Sequence, residues 1–254
     1  MIDEADNRLS GHPLDRPVWS ALTTRQARFA QGDARAVRLA PAFGLFAAAA
    51  DASSESLAAL ARLDPAAGGL VLIEAEPLPA GIAARRMALC HQMVAIVPRP
   101  IEPSFAITAL CEDDAPDMLA LATLTEPGPY FAQTHRLGDF FGVKQDNRLV
   151  AMAGERLKPE GFTEVSGVCT HPEYRGRGYA GGLMCAVATR ILARGETPFL
   201  HAYASNRGAI ALYHTLGFAL RRVMTMIVMG ATVRARSETV RIGPVGAGRA
   251  ARPR

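Results

Sequence analysis

The amino-acid sequence predicts a mixed α+β fold, and three observations carry that expectation. Asp146-Asn147, two residues that tolerate positive φ, separate a pair of strand-like segments. A run from Thr163 to Thr170 leads through a glycine-rich loop into a segment whose apolar residues recur at helical spacing. The first hundred residues carry a helix-like segment followed by two strand-like ones.

The 254 residues are 49% hydrophobic, enough for a sizeable core in one large domain or two modest ones. Met1 to Asp15 is polar and partly acidic, unlike a secretory leader, so a cytoplasmic protein is expected. The apolar run Leu39 to Ala50 is short and broken by Pro41 and Gly44, so no membrane span is expected. Cys90, Cys111, Cys169 and Cys185 form no Cys-x-x-Cys pair and the six histidines show no ligand spacing; reduced thiols and no metal are expected. The net charge is +4, but residues 231–254 hold six Arg and one Glu, which is +5 and leaves the body at −1. That distribution describes a solvated, disordered basic tail over 232–254 and argues against a nucleic-acid partner.

Along the chain, Ser53 or Ser54 can cap a helix from Ser54 to Leu63. Strands are expected at Gly69 to Glu74 and Met87 to Val97, the second ended by Pro98-Arg99-Pro100. A short strand at Phe105 to Leu110 precedes Glu112-Asp113-Asp114, acidic residues that open a helix through Leu124, and Pro127-Gly128-Pro129 breaks the chain. The hairpin joins Asp139–Gln145 to Arg148–Arg156. Leu183, Val187 and Ile191 share a face of the helix that follows the glycine loop, and Gly195 ends it. Phe199 to Ala204 is the next strand, and Asn206 can cap a helix from Arg207 to Leu216.

A glycine loop feeding a helix start offers free amides and a positive dipole end to an anion, and diphosphate fits. Arg175 and Arg177 add charge. Gly176-x-Gly178-x-x-Gly181 also satisfies the dinucleotide fingerprint, which leaves a nucleotide-dependent oxidoreductase as an alternative. Against it, the loop comes late in the chain and the next strand has no carboxylate for a ribose.

Arg175-x-x-Gly178-x-Ala180 resembles the coenzyme A pyrophosphate signature of the GNAT superfamily of N-acetyltransferases. Val168-Cys169-Thr170-His171-Pro172 is similar to the strand that pairs with the pantetheine arm there, and Asn206 with Tyr213 to Phe218 matches the next helix and turn. The resemblance covers about Phe105 to Met229, and a GNAT domain is expected over 105–231. It implies a GNAT fold, a mixed and mostly antiparallel sheet flanked by helices, preceded by an additional N-terminal α/β domain over 1–104 that reads as a degenerate GNAT-like half. It implies acetyl-CoA as cosubstrate, held by Val168, Cys169 and Thr170, the loop Arg175, Gly176, Arg177, Gly178, its continuation Tyr179, Ala180, Gly181, and Asn206 and Tyr213. It implies a small-molecule or peptide amine as acceptor, in a pocket shaped by the segment from Pro127 to Leu137, with Tyr130 and Phe131 as lining. A homodimer is left open. A non-catalytic acyl-CoA binder or an acyltransferase for longer chains is the nearest alternative.

An alkyl ammonium is neutral in only about one molecule in a few thousand at pH 7, so a base is useful. Glu164, 11 residues before Arg175, matches the catalytic glutamate of the histone-acetylating branch, and simple alternation puts Glu164, Ser166, Val168 and Thr170 on one face. A solvated strand-end carboxylate is the alternative, with Glu155 in reserve. Tyr213 matches the tyrosine that protonates the departing thiolate, or else fills the core. Backbone amides near Val168 and Cys169 are expected to meet the oxyanion. Cys169 lacks a base at strand or helix spacing and is not expected to be a nucleophile, and His201 reads as a hydrogen-bonded structural residue.

Overall fold

The structure, a computed structural model, describes residues 11–63, 69–75, 82, 84–95 and 103–230. The basic tail and Pro98-Arg99-Pro100 lie outside those residues.

Pro17 occupies the first helical position of α1 (Pro17–Thr23), where its missing N–H costs nothing, and Val18, Ala21 and Leu22 turn inward. Strands β1 (Ala30–Gly32), β2 (Ala36–Leu39) and β3 (Ala47–Ala49) form a small antiparallel sheet. Helix α2 (Ser54–Arg62) packs on it, its start fixed by the Ser53 hydroxyl accepting from Ser56 N at 3.3 Å.

The large sheet draws on β4 (Val71–Glu74), β5 (Ala84–Ala95), β6 (Thr108–Leu110), β7 (Phe140–Gln145), β8 (Arg148–Glu155), β9 (Phe162–Thr170), β10 (Thr197–Tyr203) and β11 (Phe218–Met229). Its order is β4-β11-β5-β10-β9-β8-β7-β6, antiparallel throughout except for β9 beside β10. The β7–β8 turn has φ of 49° at Asp146 and 62° at Asn147, the mirror-image conformation that lets two residues close a twisted hairpin. Helix α3 (Ala115–Thr125) follows β6. Helix α4 (Tyr179–Ala193) runs from β9 to β10 and ends where Gly195 turns at φ 76°, and α5 (Arg207–Thr215) precedes β11.

The sheet is covered on both sides. On one face Leu183, Val187 and Ile191 of α4 are fully buried against Met93, Val150, Val165 and Leu200, each contributing about 1.5 to 3 kcal/mol by leaving water. On the other, Leu14 and the α1 residues Val18 and Leu22 cover Ile73, Cys90, Phe199 and Met224, while Met118, Leu121 and Ala122 of α3 cover Phe140 and Met152. Among the described residues no helix is long and apolar enough to cross a membrane.

The mixed, mostly antiparallel sheet is the one expected. The additional N-terminal unit is present as α1, α2 and the small sheet, and its continuation enters the large sheet. β5 lies between β10 and β11, paired from Phe218↔Ala95 to Met229↔Ala84 on one edge and from Phe199↔Val94 to Tyr203↔Cys90 on the other. Residue 104 therefore falls in the connection between two strands of one sheet. A fragment beginning at residue 105 would leave a strand-wide gap beside β10, and it is expected to give a collapsed, poorly dispersed amide NMR spectrum. A native-like spectrum from that fragment would refute this account of the sheet.

Candidate active site

β9 and β10 are parallel neighbours for three register pairs, Phe162↔Thr197, Thr163↔Pro198 and Glu164↔Phe199, and then they part. The paired end is clamped by Thr163 hydrogen-bonded to Glu196, by Thr197 N donating to Gly161 O at 2.9 Å, and by Arg25 on Glu196 at 2.7 Å. Beyond it, β9 presents an unpaired backbone edge to the opening.

A bulge changes which side chains border that opening. The register runs Met152↔Cys169 and then Gly154↔Ser166, so Gly167 and Val168 oppose the single residue Ala153, with Gly167 at φ 63°. One extra residue inverts the alternation. Glu164, Ser166 and Cys169 consequently share the α3 face, whereas Val165, Val168 and Thr170 share the α4 face. The expectation that Glu164 and Val168 look the same way is corrected by this bulge.

The opening is a cleft of about 780 Å³. Val168, Cys169 and Thr170 form one wall, Arg175, Gly176, Arg177 and Gly178 the mouth, and Asn206 with Ala209 and Leu212 the far side. Gly176 and Gly178 have φ of 79° and 78° with open space where a Cβ would be, so it is backbone conformation that requires glycine there. No side chain caps α4, which leaves the amides of Tyr179, Ala180 and Gly181 to the cleft they line. The Tyr179 ring turns into the core, edge-on to Phe105 at 4.8 Å. Arg175 and Arg177 are exposed, Arg177 resting over Tyr174 at 4.8 Å. Asn206 caps α5, its side-chain oxygen accepting from Ala209 N at 3.2 Å. Free amides at a helix start beside exposed Arg175 and Arg177 are groups that could hold an anion.

A second cavity of about 280 Å³ shares Pro127 and Asn206 with the cleft. Leu45, Phe46, Val71, Ile73, Met226 and Val228 give it apolar walls; Arg156, His201, Tyr203, Asn206 and Tyr213 supply its polar groups. Tyr213 thus borders this cavity, where burial pushes its hydroxyl pKa up and keeps the proton on. Pro127, Gly128 and Pro129 line both this cavity and a smaller one against Tyr130; Phe131 lines neither.

Glu164 is fully buried. Arg156 grips it with Nε at 2.9 Å and Nη2 at 2.8 Å, His201 Nδ1 lies 2.8 Å away and Leu157 N 3.3 Å. Burial pushes its carboxyl up, but the Arg156 charge and the His201 and Arg156 hydrogen bonds outweigh burial and hold it well below the ordinary carboxylate range. With four donors on two oxygens, the carboxylate has no lone pair turned toward the cleft. The surrounding network fixes His201 as well. Gln92 Nε2 donates to Leu14 O at 2.7 Å while its oxygen accepts from Arg221 at 2.8 Å, so the same Nε2 donates to His201 Nε2 at 3.1 Å and leaves His201 Nδ1–H for Glu164. Glu155 is fully buried too, bound by Arg194 at 2.5 Å and Lys158 at 2.7 Å. The Cys169 thiol is buried with α3, and desolvation pushes it up to about 11, which leaves it un-ionised. Arg156 and Phe46 were not singled out by sequence; neither belongs to a spaced motif, and only the fold brings residue 46 to residue 156.

Residues 140–227 match the family model described as FR47-like protein. A protein from Novosphingobium aromaticivorans assigned to the GNAT acetyltransferase family is 48% identical, with 87% of this chain and 99% of that one covered and a TM-score of 0.80. A GCN5-related N-acetyltransferase from Kribbella flavida shares the fold at 16% identity, 83% and 93% coverage and a TM-score of 0.61. A GCN5-related N-acetyltransferase-like protein from Streptococcus suis does so at 15%, 84% and 92%, with a TM-score of 0.56. No curated protein matches the chain.

Because the folded-state pKa of Glu164 lies below its ordinary value near 4.5, the stability it confers is full above that pH and is lost as pH falls toward the depressed value. Glu164→Ala, which leaves Arg156 buried without its partner, should cost about 3 to 5 kcal/mol at pH 7. The difference in Tm from the parent protein should shrink below about pH 4.5; a difference independent of pH would show that the carboxylate charge is not what holds this corner.

Proposed function

The chain belongs to the GNAT family of acetyltransferases, and from that premise we propose that it moves the acetyl group of acetyl-CoA directly to a primary amine. The observation that carries this reading is the parting of β9 from β10 over an uncapped helix start, with a second cavity opening into the same space.

In this reading the α4 amides, Gly176 and Gly178 take the diphosphate, several hydrogen bonds of about 1.5 to 3 kcal/mol each sufficing without a metal. Among the described residues no group of three or more acidic, His or Cys side chains is arranged to hold one. The unpaired edge of β9 near Val168 takes the pantetheine arm as an added strand would. Acetyl-CoA supplies a thioester whose carbonyl oxygen gains charge on attack, and the amides at the Gly167–Val168 bulge are the donors placed to meet it. Tyr213, kept protonated by burial, donates to the departing sulfur. Glu164 serves as a positioning residue, holding Arg156 and the His201 tautomer at the wall of the acceptor cavity, and the amine delivers its proton to water.

Tyr213→Phe should lower kcat by about 100-fold and leave the coenzyme A dissociation constant within twofold; unchanged turnover would make the ring a packing residue. Gly178→Val strains a left-handed position by about 1 to 2 kcal/mol and crowds the cradle, so the KM for acetyl-CoA should rise about tenfold. An unaltered KM would move the diphosphate elsewhere.

A further inference from the structure

The second cavity has a chemical bias that bears on the acceptor. Its described lining includes no Asp or Glu, and Arg156 is its one permanently charged side chain. Glu164 takes Nε and one N–H of Nη2, and the face of the guanidinium lies 4.5 Å from the centre of the Phe46 ring. Arg156 donates no other side-chain hydrogen bond to a described residue, so three of its five N–H groups have no partner among those residues. The fork on Glu164 and the ring of Phe46 lock the orientation of those donors, and Arg156 borders the cavity. A planar cation held in this way is preorganised for a carboxylate. The remaining walls, Leu45, Val71, Ile73, Met226 and Val228, suit an apolar group. At about 280 Å³, the space is just under the roughly 300 Å³ at which pockets for drug-sized ligands begin.

We propose that the acceptor is an apolar amine bearing a carboxylate, that is, an amino acid with a hydrophobic side chain, whose carboxylate binds the unused edge of Arg156. This rests on the N-acetyltransferase reading and narrows it. The carboxylate anchors one end, the apolar walls take the side chain, and the amino group is left for the junction with the cleft at Asn206 and Pro127. Polyamines, aminoglycosides and lysine side chains find no carboxylate in the described lining to balance their charge.

The test compares thiol release from acetyl-CoA with leucine, leucinamide, isoamylamine, aspartate and spermidine, alongside the rise in Tm given by coenzyme A alone. Leucine should exceed leucinamide and isoamylamine at least tenfold in kcat/KM, and exceed aspartate and spermidine as well. Arg156→Lys keeps a cation opposite Glu164 but loses the fork, and it should cut the leucine-to-leucinamide ratio below threefold; if that variant is unfolded by circular dichroism, the panel on the parent protein decides alone. Equal or better rates with amines lacking a carboxylate overturn the proposal while N-acetyl transfer stands. Absence of thiol release with every amine overturns the catalytic reading and this proposal with it, and the coenzyme A melting shift then tells whether donor binding failed too.

Discussion

β9 and β10 run together for three residue pairs and then diverge, and the remaining architecture is arranged around that divergence. A sheet that opens midway exposes backbone donors and acceptors, which is tolerable where a ligand can complete them. The opening is held by specific contacts: Glu196 and Thr163 pin the closed end, the bulge at Gly167 redirects β9, and α4 and α5 prevent collapse by packing on their own core. A plain parallel pair would close that opening.

The smaller cavity is built from a different part of the chain. Phe46, Val71 and Ile73 come from the first third of the sequence, whereas Met226 and Val228 come from the last strand. β5 makes that possible. By lying between β10 and β11 it brings the N-terminal layer over the same sheet face that carries Glu164, His201 and Arg156. The buried Glu164–Arg156 pair is costly to desolvate, and the carboxylate fixes the orientation of a cation that lies beside apolar walls.

Local signals read well from sequence because they depend on nearby residues. The Asp146-Asn147 turn, the Ser53 and Asn206 caps, the glycines at 176, 178 and 195 and the apolar stripe of α4 are all where chain chemistry puts them. The groups that line the larger cleft lie mostly on one contiguous stretch, which is why that stretch stands out in the sequence. What escaped was set by register and distance. The bulge at Gly167 cannot be told from regular alternation in a run of residues that alternates acceptably without it, so Glu164 was placed on the wrong side. The proline-rich stretch at 98–100 has the local grammar of a domain border, although it joins β5 to β6 of one sheet. Arg156 gains its setting from Phe46, 110 positions away, and no spacing rule spans that interval.

The place of β5 also bears on how the polypeptide comes to be folded. Val94 is paired with Phe199 and Ala95 with Phe218, so a strand made early on the ribosome stays without either neighbour until more than a hundred further residues have emerged. Pairings this remote in sequence slow folding and expose strand edges in the interval. The two arginines that β5 carries, Arg85 and Arg86, put charge on that strand while it waits, a safeguard against its finding a partner in another nascent chain.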